Sequence, residues 1–377
     1  MADSRRLIAL TQELVATNSE SPPGREKDVA KVLRSHMEDY GISCVSVGSS
    51  ERPNLLFSTK DGEKGPLVIH GHMDTVPVGS RESWAYDPFG GEIVDGLLYG
   101  RGAADMKGPL AALAETMIQY NDEAHETPLL MLATSDEESG CTGAEAVARS
   151  GHLNGVQFGV CAEPTSLNVL VGEKGILWSR LVTKGKAAHA SRPEEGLNAI
   201  ELCIQALEVL TGSEYDYESD ALLGTPTWNI GLIQGGVKVN VVPDTCEAQL
   251  DMRTVKGQSP QGLLDAMNMH LESAGLSDRA KVDYIHGKPA VITPFDTEIV
   301  RVSIDTVSRI TGIKPVPKAA TYGTDCSVLQ PEIGILNVIC GPGSIEQAHQ
   351  PNEFIDVNQL VQSVDVYLEI ARHFSRS

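Results

Sequence analysis

The chain has 377 residues, of which 41% are hydrophobic, and a formal net charge of -21. This length predicts two or three compact units, because an average domain has about 150 residues. The excess of acidic residues disfavours nucleic acid and anionic membrane surfaces as partners. No apolar run approaches the roughly 18 residues that a membrane-spanning helix needs.

Neither an export signal nor a disulfide framework is visible in the sequence. The segment 1–6 is followed by apolar residues at helical spacing, whereas a signal peptide has an unbroken apolar run. The seven cysteines are odd in number and include no Cys-x-x-Cys pair. We therefore expect a protein of the reducing cytoplasm.

Helices and short apolar strands alternate in the outer parts of the chain. The spacing of apolar residues predicts helices over 7–15, with Ser4 as the N-cap, over 29–37 and over 109–120. Four short apolar runs have the character of buried parallel strands: 67–69, 129–134, 158–162 and 335–340. The alternation predicts an α/β domain with a mostly parallel sheet.

The central part of the chain predicts an inserted α+β domain. Its alternating and helical patterns follow the order β-α-β-β-α-β, which is typical of a ferredoxin-like antiparallel sheet with helices on one face. The third of these elements spans 227–242. We expect the first part of a catalytic domain over 1–174, the inserted domain over 175–288, and the second part of the catalytic domain over 289–377.

Potential metal ligands follow the predicted strands. Open α/β sheets build their sites at the carboxyl ends of strands, and six side chains lie there: His72, Asp74, Glu137, Glu138, Glu163 and His349. A histidine can bind a metal while a carboxylate holds its other ring nitrogen, and of two adjacent glutamates one can bind metal while the other accepts a proton. Taken singly, each pair also suits an ordinary turn or a solvated loop.

Asp105 lies in a glycine-rich segment, 100–108, just before the predicted helix at 109–120. An N-cap is its simplest interpretation, and this context alone favours it. The functional alternative is a carboxylate that bridges two metals, with glycines allowing close approach of the backbone. A phosphate-binding loop is disfavoured, because the spacing is not that of a Walker motif.

Taken together, these motifs resemble those of the acetylornithine deacetylase, succinyl-diaminopimelate desuccinylase and glutamate carboxypeptidase family of two-zinc hydrolases. The motifs occur in the family's order over nearly the whole chain: His72-x-Asp74, Gly102-x-x-Asp105-Met106-Lys107-Gly108, Glu137-Glu138, Ala162-Glu163-Pro164 and Gln347-Ala348-His349-Gln350-Pro351-Asn352-Glu353.

The resemblance implies a set of metal ligands. Asp105 would bridge two divalent ions, with zinc expected and cobalt as the alternative. His72 and Glu163 would complete one site, and Glu138 and His349 the other.

The resemblance also implies roles around the metals. Glu137 would be the general base, Asp74 would orient His72, and the Asp105–Met106 peptide bond would be cis. In the inserted domain, His189 would reach the partner subunit's active site and polarise the scissile carbonyl there. A surface histidine without function is the alternative for this residue.

Three further residues are candidates for substrate binding. Asn240 and Arg253 resemble family positions that hold the substrate carboxylate, which a guanidinium group fits well. Asp325 could contact a cationic side chain of the substrate or cap a helix. By the resemblance, a glutamate at the position of Glu163 is typical of the family's deacylases and carboxypeptidases, whereas its di- and aminopeptidases have aspartate there. The segment 341–351 looks most like that of acetylornithine deacetylases. We therefore expect a homodimeric, zinc-dependent amidohydrolase of amino acid metabolism that acts on an N-acyl amino acid.

Two alternatives remain. A carboxypeptidase, desuccinylase or dipeptidase of the same family would share all the metal residues and differ only in its substrate pocket. A non-enzymatic binding or oligomerisation module would be expected to lack a ligand or the base, and the sequence contains all of them.

Overall fold

The computed structural model describes residues 3–60 and 65–375, which form two compact units. Unit 1 contains the chain up to Gly172, Ile292–Lys318 and the chain from Thr324 onward; unit 2 contains Glu173–Val291 and Ala319–Gly323. The sequence predicts 319–323 as part of the catalytic domain. Within unit 2 the amide of Lys174 donates to the carbonyl of Ala320 at 3.1 Å, which ties this segment to the start of that unit.

The described residues form nine α-helices: α1 (Ser4–Ala16), α2 (Glu26–Glu38), α3 (Lys107–Asn121), α4 (Thr142–Ser150), α5 (Ala199–Gly212), α6 (Pro260–Ser273), α7 (Glu298–Thr311), α8 (Cys326–Ile333) and α9 (Val357–Phe374). They also form sixteen strands: β1 (Cys44–Gly48), β2 (Pro53–Ser58), β3 (Leu67–His72), β4 (Ile93–Val94), β5 (Leu97–Tyr99), β6 (Leu130–Thr134), β7 (Phe158–Pro164), β8 (Leu170–Glu173), β9 (Gly175–Lys184), β10 (Thr227–Gly235), β11 (Thr245–Thr254), β12 (Ala280–Lys288), β13 (Val291–Ile292), β14 (Lys318–Ala320), β15 (Leu336–Gly341) and β16 (Phe354–Asp356).

The large sheet has the strand order β1-β2-β6-β3-β7-β15-β8-β13, with β14 beside β8. Its four central strands, β6, β3, β7 and β15, run parallel. Antiparallel pairs flank them, namely β1 with β2, β2 with β6 and β15 with β8. The four apolar runs of the sequence are these central strands, so the predicted mostly parallel sheet is confirmed. Their carboxyl ends lie at one edge of the sheet.

The helix over 7–15 begins earlier than predicted, because Asp3 rather than Ser4 is its N-cap. The Asp3 carboxylate accepts hydrogen bonds from the amides of Arg5 and Arg6, both at 3.2 Å. A carboxylate at this position satisfies two unpaired amides and interacts favourably with the helix dipole. Residues 1 and 2, at the start of the segment examined for an export signal, lie outside the described residues.

Unit 2 contains an antiparallel sheet of order β10-β11-β9-β12. Its elements follow the order β9-α5-β10-β11-α6-β12, as predicted, and the buried faces of α5 and α6 share one apolar core with the sheet. The third predicted element was longer, over 227–242, but β10 ends at Gly235. Gly236 then adopts a φ of +73°, a left-handed conformation that turns the chain out of the strand.

A search of the described residues finds no helix with both the length and the apolar character needed to cross a bilayer.

Candidate metal centre

Five potential ligands from distant parts of the sequence meet in unit 1 at the carboxyl ends of the central strands. His72 is the last residue of β3, Glu163 lies near the end of β7, and Glu138 follows β6 in a short 3-10 turn. His349 follows β15 through a loop, and Asp105 lies just before α3. The parallel strand order therefore produces the cluster, since it brings these strand ends to the same edge.

Asp105 lies between the two histidines. One carboxylate oxygen, Oδ1, is 3.1 Å from His72 Nε2, and the other, Oδ2, is 3.6 Å from His349 Nε2. His72 Nε2 is also 3.4 Å from Glu163 Oε1, and His349 Nε2 is 3.0 Å from Glu138 Oε2. Two three-residue groups thus share a single carboxylate, which is the arrangement that a pair of bridged cations requires.

The electrostatics of this cluster fit divalent cations. Burial and the nearby Asp105 carboxylate raise the pKa of Glu163 well above its ordinary value. Burial alone would lower the pKa of His72, but the carboxylates of Glu163 and Asp105 raise it well above its ordinary value. Buried acidic groups this close repel one another unless protons or cations are present. Carboxylate oxygens and imidazole nitrogens are donors that zinc accepts, so the residues fit such ions.

Glu137 lies at the edge of the same cluster. Its Oε2 is 3.9 Å from His72 Nε2, and its side chain is 11% exposed. Burial raises its pKa well above the ordinary value, and the carboxylates of Glu163 and Glu138 add to this rise. A carboxylate with high proton affinity beside a metal centre is suited to accept a proton.

Asp74 contacts His72 in a different way from the predicted one. The ring nitrogen Nδ1 of His72 donates to the main-chain carbonyl of Asp74 at 2.9 Å, whereas the nearest carboxylate oxygen is 3.7 Å away. The carboxylate instead accepts the amides of Glu137 at 3.2 Å and Glu138 at 3.1 Å. Since a carbonyl can only accept, Nδ1 carries the proton and the lone pair of Nε2 is left for a ligand role. Asp74 therefore orients His72 through its backbone and holds the Glu137-Glu138 turn through its side chain.

The interpretation of Asp105 as a helix cap is wrong. The N-cap position of α3 is occupied by Met106, which makes no capping hydrogen bond through its side chain, and the Asp105 carboxylate faces the two histidines. The Asp105–Met106 peptide bond is cis, as the family resemblance implies. Gly71 makes room for the Met106 side chain, because a Cβ at that glycine would lie 2.3 Å from Met106 Cε.

Glu353 is a buried residue of the site for which the sequence alone predicts no role. Its carboxylate accepts the amides of Gly102, Ala104 and Asp105 at 2.9 to 3.1 Å and pairs with Arg101 at 2.6 Å. It thereby holds the loop that carries Asp105. Its position in the quoted motif after His349 was the available signal, but the partner loop is about 250 residues away, and local patterns do not reveal such a contact.

Asp325 lies in unit 1 and is 2% exposed. It occupies the N-cap position of α8 without a capping hydrogen bond, so the capping alternative is wrong. Its Oδ2 accepts the hydroxyl of Thr134 at 2.5 Å, and within the described residues Oδ1 has no hydrogen-bond partner. Its negative charge also helps to raise the pKa values of Glu137 and Glu163. Contact with a cationic substrate stays a prediction.

The remaining candidates belong to unit 2. His189 is exposed, and its Nδ1 accepts the amide of Ser191 at 3.1 Å, which places the ring proton on Nε2. The carbonyl of Asn240 accepts the amide of Ala190 at 3.1 Å, so Asn240 is tied to the His189 segment. Arg253 donates to Asp251 at 3.0 Å. The roles of these residues in catalysis and substrate binding stay predictions.

Comparison with known proteins identifies the family of the chain. The model of peptidase family M20/M25/M40 matches residues 68–373. The chain is similar to the acetylornithine deacetylase of Photorhabdus laumondii, with 32% identity over 98% of this chain and 97% of the relative. It is also similar to the acetylornithine deacetylase of Proteus mirabilis, with 33% identity over 94% of this chain and 91% of the relative.

Solved structures share the fold. A family metallo-carboxypeptidase from Sulfolobus solfataricus matches with a TM-score of 0.84 and 20% identity over 100% of both chains. A dinuclear metal-binding peptidase from Bacillus subtilis matches with a TM-score of 0.75 and 20% identity over 98% of both chains. The family predicted from the sequence motifs is thus confirmed: the chain belongs to peptidase family M20/M25/M40 and is a metal-dependent amidohydrolase.

Proposed function

We propose that this enzyme hydrolyses the amide bond of a small N-acyl amino acid, with an N-acetyl amino acid as the preferred class. The observation that carries the reaction type is the approach of two histidines to the two oxygens of Asp105, with Glu137 beside them. Support for the substrate class comes from curated relatives that are named acetylornithine deacetylases and align over nearly the whole chain.

In this proposal, His72, Asp105 and Glu163 hold one divalent ion, and Asp105, Glu138 and His349 hold the other. Zinc is the proposed metal and cobalt the alternative, because both accept imidazole and carboxylate donors. When bound, such a pair supplies Lewis acidity that polarises the amide carbonyl and makes water a better nucleophile.

Glu137 then carries the proton through the reaction. Water adds to the carbonyl carbon while Glu137 accepts one of its protons. The carbon–nitrogen bond breaks, Glu137 delivers the same proton to the departing amine, and the acyl group leaves as a carboxylic acid, which becomes a carboxylate when its remaining proton passes to solvent. Burial raises the pKa of Glu137, which brings its proton affinity closer to that of the groups with which it exchanges the proton.

Residues of unit 2 complete the proposed site in a homodimer. His189 of the partner subunit would donate its Nε2 proton to the scissile carbonyl oxygen, which the observed tautomer supports. The strand β10 lies at an edge of its sheet and exposes Ile230, Leu232 and Ile233. Such an apolar edge strand is suited to pair with a second copy. Unit 2 is accordingly the proposed dimerisation domain.

Three side chains are proposed to select the substrate. Asn240 and Arg253 would bind the substrate carboxylate, and Asp325 would bind a cationic side chain of the substrate.

The cytoplasm is the proposed location. It is supported by the cysteines of the described residues, all seven of which are thiols.

A substrate screen tests the proposed function. Purified, zinc-loaded protein is assayed against N-acetyl, N-succinyl and N-formyl amino acids and against dipeptides. We expect N-acetyl amino acids, including N-acetylornithine, to have the highest kcat/KM. Faster cleavage of dipeptides than of every acylated amino acid would overturn the substrate class while leaving the amidohydrolase chemistry intact.

The dimer is tested by changing Leu232 in β10 to Glu. We expect L232E to be monomeric by light scattering and to lose turnover while it keeps its metal content. The control is Met269→Glu, which also adds a charge at an exposed apolar position of unit 2 but on α6, away from the edge strand. A wild-type protein that is monomeric and fully active would overturn the role of His189.

A further inference from the structure

A second cluster of donor atoms lies within unit 1, deeper in the sheet than the metal centre. It consists of His70, Cys161 and Cys326, each of which offers one ligand atom, and these atoms lie within 4.8 Å of one another. All three residues are at most 1% exposed. His70 and Cys161 are paired neighbours on β3 and β7, and Cys326 is the first residue of α8.

This cluster is separate from the metal centre described above. His70 precedes His72 by two positions on β3, a separation of about 7 Å along a strand. Because alternate residues of a strand face the same side of the sheet, the cluster lies one row behind the centre on that side. The ligand types also differ, since the centre has carboxylate and imidazole donors and this cluster has two sulfur atoms and an imidazole.

Hydrogen bonding determines the tautomer of His70. Its Nε2 lies 3.0 Å from Asn337 Oδ1, and the amide nitrogen of Asn337 donates to the carbonyl of Ile335 at 2.9 Å. Oδ1 of Asn337 is therefore the acceptor, and Nε2 of His70 is the donor. The other nitrogen, Nδ1, keeps its lone pair and makes no hydrogen bond of standard geometry within residues 3–60 and 65–375, although the Cys161 thiol lies close enough to interact with the ring.

The fold makes room for the hydrogen bond that orients His70. Gly159 of β7 lies where a Cβ would come within 1.9 Å of Asn337 Oδ1, so only glycine permits this approach. A fully buried ring nitrogen without a well-formed hydrogen bond costs free energy, and such groups call for a ligand or another explanation. Metal-binding histidines commonly have their second nitrogen held in this manner.

We propose that His70 Nδ1, Cys161 Sγ and Cys326 Sγ bind one thiophilic d10 cation, of the class of zinc, cadmium or monovalent copper. Soft thiolate donors select such ions over magnesium or calcium. Each thiol gives up its proton to solvent as the metal–sulfur bond forms. Two thiolates then balance a charge of 2+, so a divalent ion is buried here without net charge. The role is structural, since the ion would join β3, β7 and α8 behind the metal centre.

Cobalt is the probe, because sulfur-to-cobalt charge transfer in the near ultraviolet occurs only where a thiolate binds the metal. The full-length protein is refolded with Co2+ and a phosphine reductant, so that a buried site can fill. We expect a thiolate charge-transfer band and one more ion per chain than the carboxylate and histidine centre holds. X-ray absorption on the same wild-type sample should show cobalt–sulfur scattering.

Variants separate this site from the metal centre. The double variant Cys161→Ser/Cys326→Ser should lose the band and one ion, whereas Cys340→Ser, a buried thiol of β15 outside the cluster, should keep both. His349→Ala should lose an ion of the centre and retain the band, so failure of this inference is distinguishable from failure of the proposed function. A wild-type protein without the band and without cobalt–sulfur scattering would overturn the proposal. Retention of the band in the double variant, or a Cys161–Cys326 disulfide in the isolated protein, would overturn it as well.

Discussion

Glu353 Oε1 accepts the backbone amide of Asp105 at 3.0 Å, and this contact joins two motifs that lie 248 residues apart in the chain. The same carboxylate accepts the amides of Gly102 and Ala104 and pairs with Arg101, which is 2% exposed. One buried side chain therefore fixes the loop that presents the carboxylate shared by the two halves of the metal centre.

Replacing Glu353 by Ala should destabilise the protein by roughly 3–5 kcal/mol, because the buried charge of Arg101 loses its partner. Bound metal should also decrease, since the Asp105 loop loses its anchor. Glu353→Gln, which keeps an acceptor oxygen, should have a smaller effect on both the stability and the metal content. Denaturant unfolding and elemental analysis measure these changes. Glu346→Ala, at an exposed glutamate of the same segment, is the control. Equal stability of E353A and E346A would contradict the anchoring role.

Replacing Glu137 by Gln should abolish proton transfer while leaving the metal ligands in place. We expect kcat to fall on the order of 100- to 10,000-fold, the usual contribution of a general base. Metal content, measured by elemental analysis, should stay at the wild-type value. Glu138→Gln is the matched variant, and it should lower metal content because Glu138 approaches His349 at 3.0 Å. Retained turnover in E137Q would remove Glu137 from the mechanism.

Asp74→Asn distinguishes two ways in which Asp74 can act. The carboxylate accepts the amides of Glu137 and Glu138, and an amide side chain has one oxygen to offer them, so one buried hydrogen bond worth roughly 1.5–3 kcal/mol is lost. We expect kcat to fall while metal affinity is retained, because His72 is held by the carbonyl of Asp74. A competition titration with a chelator measures the affinity. A large loss of affinity at unchanged kcat would show that the carboxylate orients His72 instead.

The metal-free and metal-loaded enzymes should respond differently to pH. In the metal-free protein the pKa values of Glu163 and His72 lie well above their ordinary values, so the folded state binds more protons than the unfolded chain. The metal-free fold therefore loses stability progressively as pH rises above the ordinary pKa values of these groups, which are 4.5 for Glu163 and 6.5 for His72. Metal binding requires their deprotonated forms and strengthens over the same range.

The Tm difference between the zinc-loaded and chelator-treated protein should accordingly increase with pH. Lys107 acts in the opposite direction, because burial lowers its pKa to about 7 and its folded state releases a proton that the unfolded chain keeps. Lys107 is present in both forms, so taking the difference largely removes its effect. Differential scanning calorimetry at several pH values measures this Tm difference. A difference that is constant or decreases with pH would contradict the assignment of these residues as ligands.

Much of the catalytic unit could be predicted from the sequence. The four central strands are apolar runs bounded by polar or turn residues. Buried parallel strands have this pattern because both of their faces are covered by other elements. The helix boundaries were less predictable. Asp3 replaced Ser4 as a cap because neighbouring polar residues compete for that position, and β10 ended early because the left-handed φ of Gly236 turns the chain out of the strand.

By itself, the sequence determined the chemical types of the residues, their order and the family to which the chain belongs. Only the tertiary structure decided their partners: the Asp74 carboxylate with the Glu137-Glu138 turn, Asp325 with Thr134, and His70 with Cys161. The physical reason is the range of the interactions. Periodicity and capping act over a few residues, whereas these contacts follow from the strand order of the sheet and from loops that cross it, which bring together residues far apart in the chain.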